Sequence, residues 1–224
     1  SKALLATASI AHAQGGNAAM GVESAEKSID YGTAKDFVAS VIGQIAPHDS
    51  VARFESLGVD VIEAFGRFIS PTEVQAGDRV ITARRIVIAT GSSPLVPPIL
   101  GLSDVPYYTN ETVFDLRERP DHLLVIGGGP IGMEMAQAHR RLGSEVTVIE
   151  GQKVLAKDDP ELVAILVQKL RDEGIEIVEE ALAQSVSGKG GDITVSTSRG
   201  QFHGTHLLMA AGRKVNTERL DLGA

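Results

Sequence analysis

His122-Leu-Leu-Val-Ile-Gly-Gly-Gly-Pro-Ile-Gly-Met-Glu-Met-Ala136, continued by Val146-Thr-Val-Ile-Glu150, decides the fold of this chain. An apolar strand, Leu123 to Ile126, precedes Gly127, Gly129 and Gly132. A helix is predicted from there to about Leu142, where Gly143 can end it. A second apolar strand, Val146 to Ile149, closes on Glu150. A strand, a glycine turn, a helix and a strand ending on an acid form the unit that binds a dinucleotide. The expected parts are Gly127 for the tight turn, Gly129 for close backbone approach to a pyrophosphate, and Gly132 for close packing of helix on sheet. Gly128, Pro130 and Ile131 complete the loop and the first turn, whose free N–H groups and helix dipole favour a phosphate. Glu150 lies 18 residues after Gly132. A carboxylate there accepts hydrogen bonds from ribose hydroxyls and repels a 2′-phosphate, so NAD(H) is expected over NADP(H). Lys153 weighs against this, because a lysine could meet that phosphate.

The rest of the composition excludes other classes. The chain has 224 residues, enough for one or two domains with real cores. A net charge of −8 argues against a nucleic-acid or anionic membrane surface. No apolar run reaches membrane-span length and no secretory signal is visible, so a cytoplasmic location is expected. Cysteine is absent from these residues, which removes disulfides, thiolate metal sites and cysteine nucleophiles from this stretch. The six histidines show no metal-ligand spacing, and no metal site is expected.

Along the chain, Lys2 to about His12 reads as a helix and residues 14 to 32 as a loop. Ala34 to Ile45 reads as a helix with Phe37, Val38, Val41, Ile42 and Ile45 as its apolar stripe. Asp49 or Ser50 is expected to cap a short helix ending near Gly58. Short strands are predicted at Val59 to Glu63, Arg67 to Ser70, Thr72 to Gln75 and Arg79 to Thr82, as an antiparallel meander. Arg85 to Ala89 is a continuous apolar run, expected to be a buried parallel strand ending at Thr90-Gly91. Pro94 to Pro106, with four prolines, is expected to link domains. After the dinucleotide unit, Asp159 and Pro160 start a helix that Gly174 ends. Ile175 to Val178, a second meander around Gly188 to Gly191, and the buried strand Leu207 to Ala211 follow. The two halves share a plan, which suggests two related nucleotide-binding domains.

Four segments resemble, in order, the class I pyridine nucleotide–disulfide oxidoreductases: Ser1-Lys-Ala-Leu-Leu5, Ile88-Ala-Thr-Gly-Ser92, Gly127-Gly-Gly-Pro-Ile-Gly-Met-Glu134 and Ala211-Gly-Arg-Lys-Val-Asn216. The chain looks similar to dihydrolipoamide dehydrogenase-like and mercuric reductase-like members. The resemblance implies an α/β fold with two Rossmann-like nucleotide-binding domains, each a parallel sheet with an antiparallel meander. A partial FAD-binding domain would cover 1–105 and an inserted NAD(P)-binding domain 106–214, with 215–224 returning to the FAD domain. It further implies that the chain is the middle of a longer enzyme. A redox-active cysteine pair and an amino-terminal FAD motif would lie upstream. A dimerisation domain, through which the intact protein forms a homodimer, would lie downstream. The whole would pass a hydride from NAD(P)H to FAD and on to a disulfide or other acceptor. The isolated chain is expected to be inactive and, where it keeps an unpaired sheet edge, to be poorly soluble or to self-associate.

Residue by residue, Lys2 resembles the lysine near flavin N5 and Glu134 its glutamate partner; these are the expected catalytic positions. Thr90 and Gly91 resemble the turn that approaches FAD, and Phe65 and Gly66 the backbone beside its adenine. Ala183 would lie near the adenine of the nicotinamide nucleotide. Ala210, Ala211, Gly212 and Arg213 would lie near its nicotinamide end. Where some glutathione reductase-like members carry a gating tyrosine, this chain has Pro130, which cannot act as that gate. Two other readings stand beside this one: a complete, non-catalytic NAD-binding module, and a flavin-dependent NADH oxidase or transhydrogenase of the same fold without redox cysteines. The small-molecule partners expected are nucleotides; the acceptor is left open.

Overall fold

A computed structural model of the chain describes residues 1–14 and 29–223. The expected loop over residues 14 to 32 falls mostly outside them. In chain order come helices α1 (Lys2–Ala13), α2 (Tyr31–Ile45) and α3 (Val51–Ser56). Strands β1 (Gly66–Ser70), β2 (Glu73–Ala76), β3 (Arg79–Thr82), β4 (Ser92–Pro94) and β5 (Tyr108–Thr109) follow. The central run is β6 (His122–Ile126), α4 (Pro130–Arg141), β7 (Glu145–Ile149), α5 (Pro160–Asp172) and β8 (Glu176–Val178). The chain then forms β9 (Ala183–Lys189), β10 (Asp192–Thr197), β11 (Gly200–Gly204), β12 (His206–Met209) and β13 (Arg213–Val215). Compactness groups Ser1–Val41 with Pro94–Gly212, and Ile42–Ser93 with Arg213–Ala224. That grouping differs from the expected division at 105 and 214.

The larger unit is built on a five-stranded sheet in the order β5-β12-β6-β7-β8, all its pairs parallel. Successive side chains of a strand point to opposite faces, and two cores result. Leu123, Val125, Val146, Val148 and Leu208 enter one core with Leu4 of α1, Met135 and Ala136 of α4 and Leu170 of α5. Leu124, Ile126, Ile149, Leu207 and Met209 enter the other, against Val186, Ile193 and Val195 of the antiparallel sheet β9-β10-β11. The helix limits follow local chemistry. Asp159 caps α5 by accepting from the N–H groups of Glu161 and Leu162, and Pro160 takes the first helical position. Leu102 and Val105 are buried in the second core, so the proline-rich stretch is in part a packed segment and not only a linker.

Helix α2 corrects the sequence reading. Its buried residues are Tyr31, Ala34, Lys35 and Val38, while Phe37, Ile42 and Ile45 of the expected stripe are exposed. The buried face follows from polar partners: Tyr31 hydroxyl meets His139 Nε2 at 3.2 Å, and Lys35 Nζ donates to the Val113 carbonyl at 3.0 Å. Lys35 is 1% exposed.

In the smaller unit, Ser50 caps α3, accepting from Arg53 N–H. Strands β1, β2 and β3 form the antiparallel meander, and β4 pairs with β13. Two expected strands are absent. Val59 to Glu63 has no ladder partner, and the run Arg85 to Ala89 is neither strand nor buried, with Val87 88% exposed. A parallel strand exists only where a neighbour supplies its hydrogen bonds, and among the described residues none lies beside this run.

Candidate functional site

The carboxyl ends of β6, β7 and β12 open onto a cleft of about 610 Å³. Its walls include Gly127, Gly128, Gly129, Pro130, Glu150, Ala210, Ala211 and Gly212. This is the edge at which parallel α/β sheets bind ligands. The glycines are required there by space. Gly127 has φ +115°, and a Cβ on it would lie 2.3 Å from the Ala210 carbonyl oxygen. A Cβ on Gly132 would lie 2.0 Å from the Gly127 carbonyl oxygen, so helix α4 starts in contact with the strand that precedes it. A Cβ on Gly129, by contrast, would meet nothing within 4 Å. The open space beside Gly129, at the N-cap of α4, is the space a pyrophosphate needs, with the first free N–H groups of α4 beside it. The residues present therefore fit a dinucleotide.

Glu150 stands at the end of β7 with its carboxylate already placed. Gly128 N–H donates to Oε2 at 2.7 Å and Gln152 N–H donates to Oε1 at 2.9 Å. A carboxylate oxygen has two acceptor sites, so each oxygen keeps one free. The loop after Glu150 forms the outer wall. Leu155 N–H donates to the Gly128 carbonyl at 2.9 Å, Leu155 itself is left-handed at φ +50°, and Val154 is buried against Gly128. Gln152, Leu155, Ala156, Lys157 and Asp158 also line the cleft. The sequence reading did not single these out. Their signal was position alone, since any loop leaving the carboxyl end of β7 borders this edge.

Other expected residues are not part of the cleft lining. Ile131 packs against the helix-side core and Gly132 is buried beneath the cleft. Ala183 begins β9 and packs against the meander core, outside the cleft lining. Arg213 is exposed in the smaller unit, where its Nε donates to Ser92 Oγ at 2.7 Å and an Nη donates to the Ser92 carbonyl. Glu134 and Lys2 are both exposed.

In the smaller unit Phe65, Gly66 and Thr90 line a second cleft of about 420 Å³ with Ala64, Asn216 and Arg219. Asn216 ties it together. Its Nδ2 donates to the Thr90 carbonyl at 3.2 Å and its backbone N–H to the carbonyl of Gly91, a left-handed residue at φ +67°. The Arg219 guanidinium stacks on the Phe65 ring, 3.7 Å from its centroid. Nothing local in the sequence announces Asn216 or Arg219 as neighbours of Phe65, because the pairs are joined only by the fold.

Away from both clefts, His139 is fully buried, and desolvation pushes its pKa down to about 4. Nδ1 faces the Met135 carbonyl at 2.8 Å and must donate, so Nε2 accepts from Tyr31. Burial likewise pushes Lys35 down to about 8 and Tyr31 up to about 12. Among the described residues no group of three or more metal-ligating side chains occurs, and no helix is long and apolar enough to cross a membrane.

A family model described as pyridine nucleotide-disulphide oxidoreductase matches residues 4–223. Mercuric reductase of Lysinibacillus sphaericus is 31% identical over 229 residues, covering 100% of this chain and 42% of the relative. Mercuric reductase of Streptomyces lividans is 32% identical over 232 residues, covering 99% of this chain and 49% of the relative. Among solved structures, the Cu(II) complex of the HOCl-induced flavoprotein disulfide reductase RclA from Escherichia coli superposes with a TM-score of 0.81 at 26% identity, over 98% of this chain and 47% of that one. LpdA from Mycobacterium tuberculosis gives 0.81 at 26%, over 99% and 50%. The chain thus spans half or less of the length of each of these proteins.

Proposed function

The chain belongs to the pyridine nucleotide-disulphide oxidoreductase family, and we propose that its Gly127–Gly132 cleft holds a nicotinamide dinucleotide, NADH in preference to NADPH, for a flavin-dependent oxidoreductase. When bound, the nicotinamide nucleotide and FAD would supply the redox chemistry, a hydride moving between them and an electron pair then passing to a disulfide or another acceptor. The residues of this chain bind and orient. Gly127 and Gly132 bring α4 against β6 so that its free N–H groups face the pyrophosphate. Ala210, Ala211 and Gly212 wall the cleft on the β12 side, where the nicotinamide end would lie. Phe65, Gly66, Thr90 and Gly91 are read as the part of an FAD site that this chain carries. Lys2 and Glu134 are read as flavin-side positions.

The observation that carries the preference for NADH is the Glu150 carboxylate, held by two backbone N–H groups at the rim with one free acceptor site on each oxygen. A ribose diol can donate to those sites; a 2′-phosphate would bring a second negative charge against them. Calorimetric titration of the protein with NAD⁺ and with NADP⁺ tests the reading. NAD⁺ is expected to bind at least tenfold more tightly, a difference of about 1.4 kcal/mol. Equal affinities would overturn the assignment.

A further inference from the structure

We propose that Glu179 and Glu180 set nucleotide specificity indirectly, by holding Lys153 away from the ribose edge of the cleft. The proposal rests on the reading that Glu150 favours NADH. Lys153 is the one cation within three residues of Glu150, and on sequence alone it weighs against that reading, since a lysine there could meet a 2′-phosphate. The structure shows where its charge goes. Lys153 belongs to the loop that lines the cleft, yet its Nζ lies 3.4 Å from Glu180 Oε1 and 3.8 Å from Glu179 Oε2, both on the segment after β8.

That segment is firmly bound to the loop it controls. Glu180 N–H donates to the Gln152 carbonyl and Ala181 N–H to the Glu150 carbonyl, both at 2.8 Å. Glu179 Oε1 accepts from Val154 N–H at 3.0 Å, one residue from Lys153. The two carboxylates are themselves oriented from behind: Arg171 lies 3.9 Å from Glu179, and Arg199 pairs with Glu180. Glu180 holds a left-handed backbone conformation, φ +56°, that places its side chain between Lys153 and Arg199. The charged residues that line the cleft, Glu150 and Asp158 with Lys153 and Lys157, cancel in formal charge. With the Lys153 ammonium turned to Glu179 and Glu180, the Glu150 carboxylate is left to face a nucleotide. Glu179 and Glu180 are positioning residues, acting through Lys153 and touching no nucleotide themselves.

The test uses the full protein and titration with NAD⁺ and NADP⁺, which bind without turnover. In E179Q/E180Q the amide oxygens can still accept from Val154 N–H, while Lys153 loses both countercharges. NADP⁺ affinity is expected to rise about fivefold relative to NAD⁺, the size of one exposed ion pair. The gain should shrink as salt is raised. It should vanish when K153Q is added, which a merely structural role for the glutamates would not predict. The single variant E180Q, altering only the half-exposed partner, should give part of the same shift. If the native protein favours NAD⁺ but the ratio is unmoved in E179Q/E180Q and in E180Q, the proposal is overturned and the Glu150 assignment stands. The same holds if the gain survives K153Q. If the native protein binds both nucleotides equally, the Glu150 reading fails first, and this one with it.

Discussion

Replacing Gly132 by alanine should damage both folding and nucleotide binding, whereas Gly129→Ala should damage binding alone. The Gly132 Cβ would lie 2.0 Å from the Gly127 carbonyl oxygen and 3.4 Å from Ala210 Cβ. Carbon–oxygen contacts settle at about 3.3 Å or more, so the first turn of α4 must retreat by roughly 1.3 Å. The clashing atoms, the Gly127 carbonyl carbon and oxygen, are backbone and cannot swing aside. Overpacking of this kind costs about 1–3 kcal/mol, or roughly 2–12 °C in melting temperature for a domain of this size. The same retreat pulls the N–H groups of α4 off the pyrophosphate. Losing one charge-assisted hydrogen bond is worth about 1.5–3 kcal/mol, about ten- to hundredfold in Kd. At Gly129 an alanine Cβ meets no protein atom within 4 Å. The chain should keep its melting temperature, but the methyl group would occupy the pyrophosphate's space. Thermal unfolding and NAD⁺ titration on both variants separate the cases. A Gly132→Ala protein with native stability and affinity would refute the argument, as would a Gly129→Ala protein that binds normally.

Other consequences can be measured with the same tools. Glu150→Arg should weaken NAD⁺ and strengthen NADP⁺, each about tenfold for a change of about 1.4 kcal/mol; titration showing unchanged affinities for both would dismiss Glu150 as a determinant. Lys35→Met should stabilise the chain at pH 7 by about 1–2 kcal/mol, because a buried cation with one hydrogen-bonded carbonyl and two aromatic ring faces, but no paired carboxylate, is replaced by an apolar side chain of similar shape. The folded pKa of Lys35, about 8, lies below its ordinary 10.5. Between those values the unfolded chain binds the extra proton, so the wild type gains stability as pH rises and the advantage of the variant should shrink. Denaturant melts at pH 7 and pH 10 showing an equal advantage would contradict this. His139, at about 4 against 6.5, acts in the same sense, and stability should fall as pH drops from 6.5 towards 4. Asp159→Ala should remove the cap of α5 and cost about 1 kcal/mol, read from chemical denaturation.

The dinucleotide unit is legible in the sequence because its determinants are local. A strand, a turn with φ above zero, a close helix packing and an acid at a strand end each depend on residues within a few positions of one another. Leu123 to Ile126, Gly127, Gly132 and Glu150 stand where the sequence placed them. The resemblance of four ordered segments extended that reading to the family, and the match over residues 4–223 agrees with it. Local pattern misled where a segment depends on a partner. Arg85 to Ala89 has the composition of a buried strand, but a strand needs a neighbour to hydrogen-bond, and among the described residues it has none. The stripe of α2 was read from apolarity alone, and hydrogen bonds from Tyr31 to His139 and from Lys35 to Val113 turned the helix onto another face.

The charge at the nucleotide rim shows the division most clearly. Sequence alone determined that a glycine turn, a helix start and a carboxylate would meet at the end of a parallel strand, because covalent order and backbone sterics bring them together. It also placed Lys153 beside them, with the opposite implication for specificity. Only the tertiary structure lays the segment after β8 against the loop after β7, so that Glu179 and Glu180 face the lysine, and the proposed preference for NADH rests on that placement. Electrostatic interaction depends on distance through space, and the 26 and 27 residues that separate Lys153 from those glutamates in sequence carry no record of that distance until the sheet assembles.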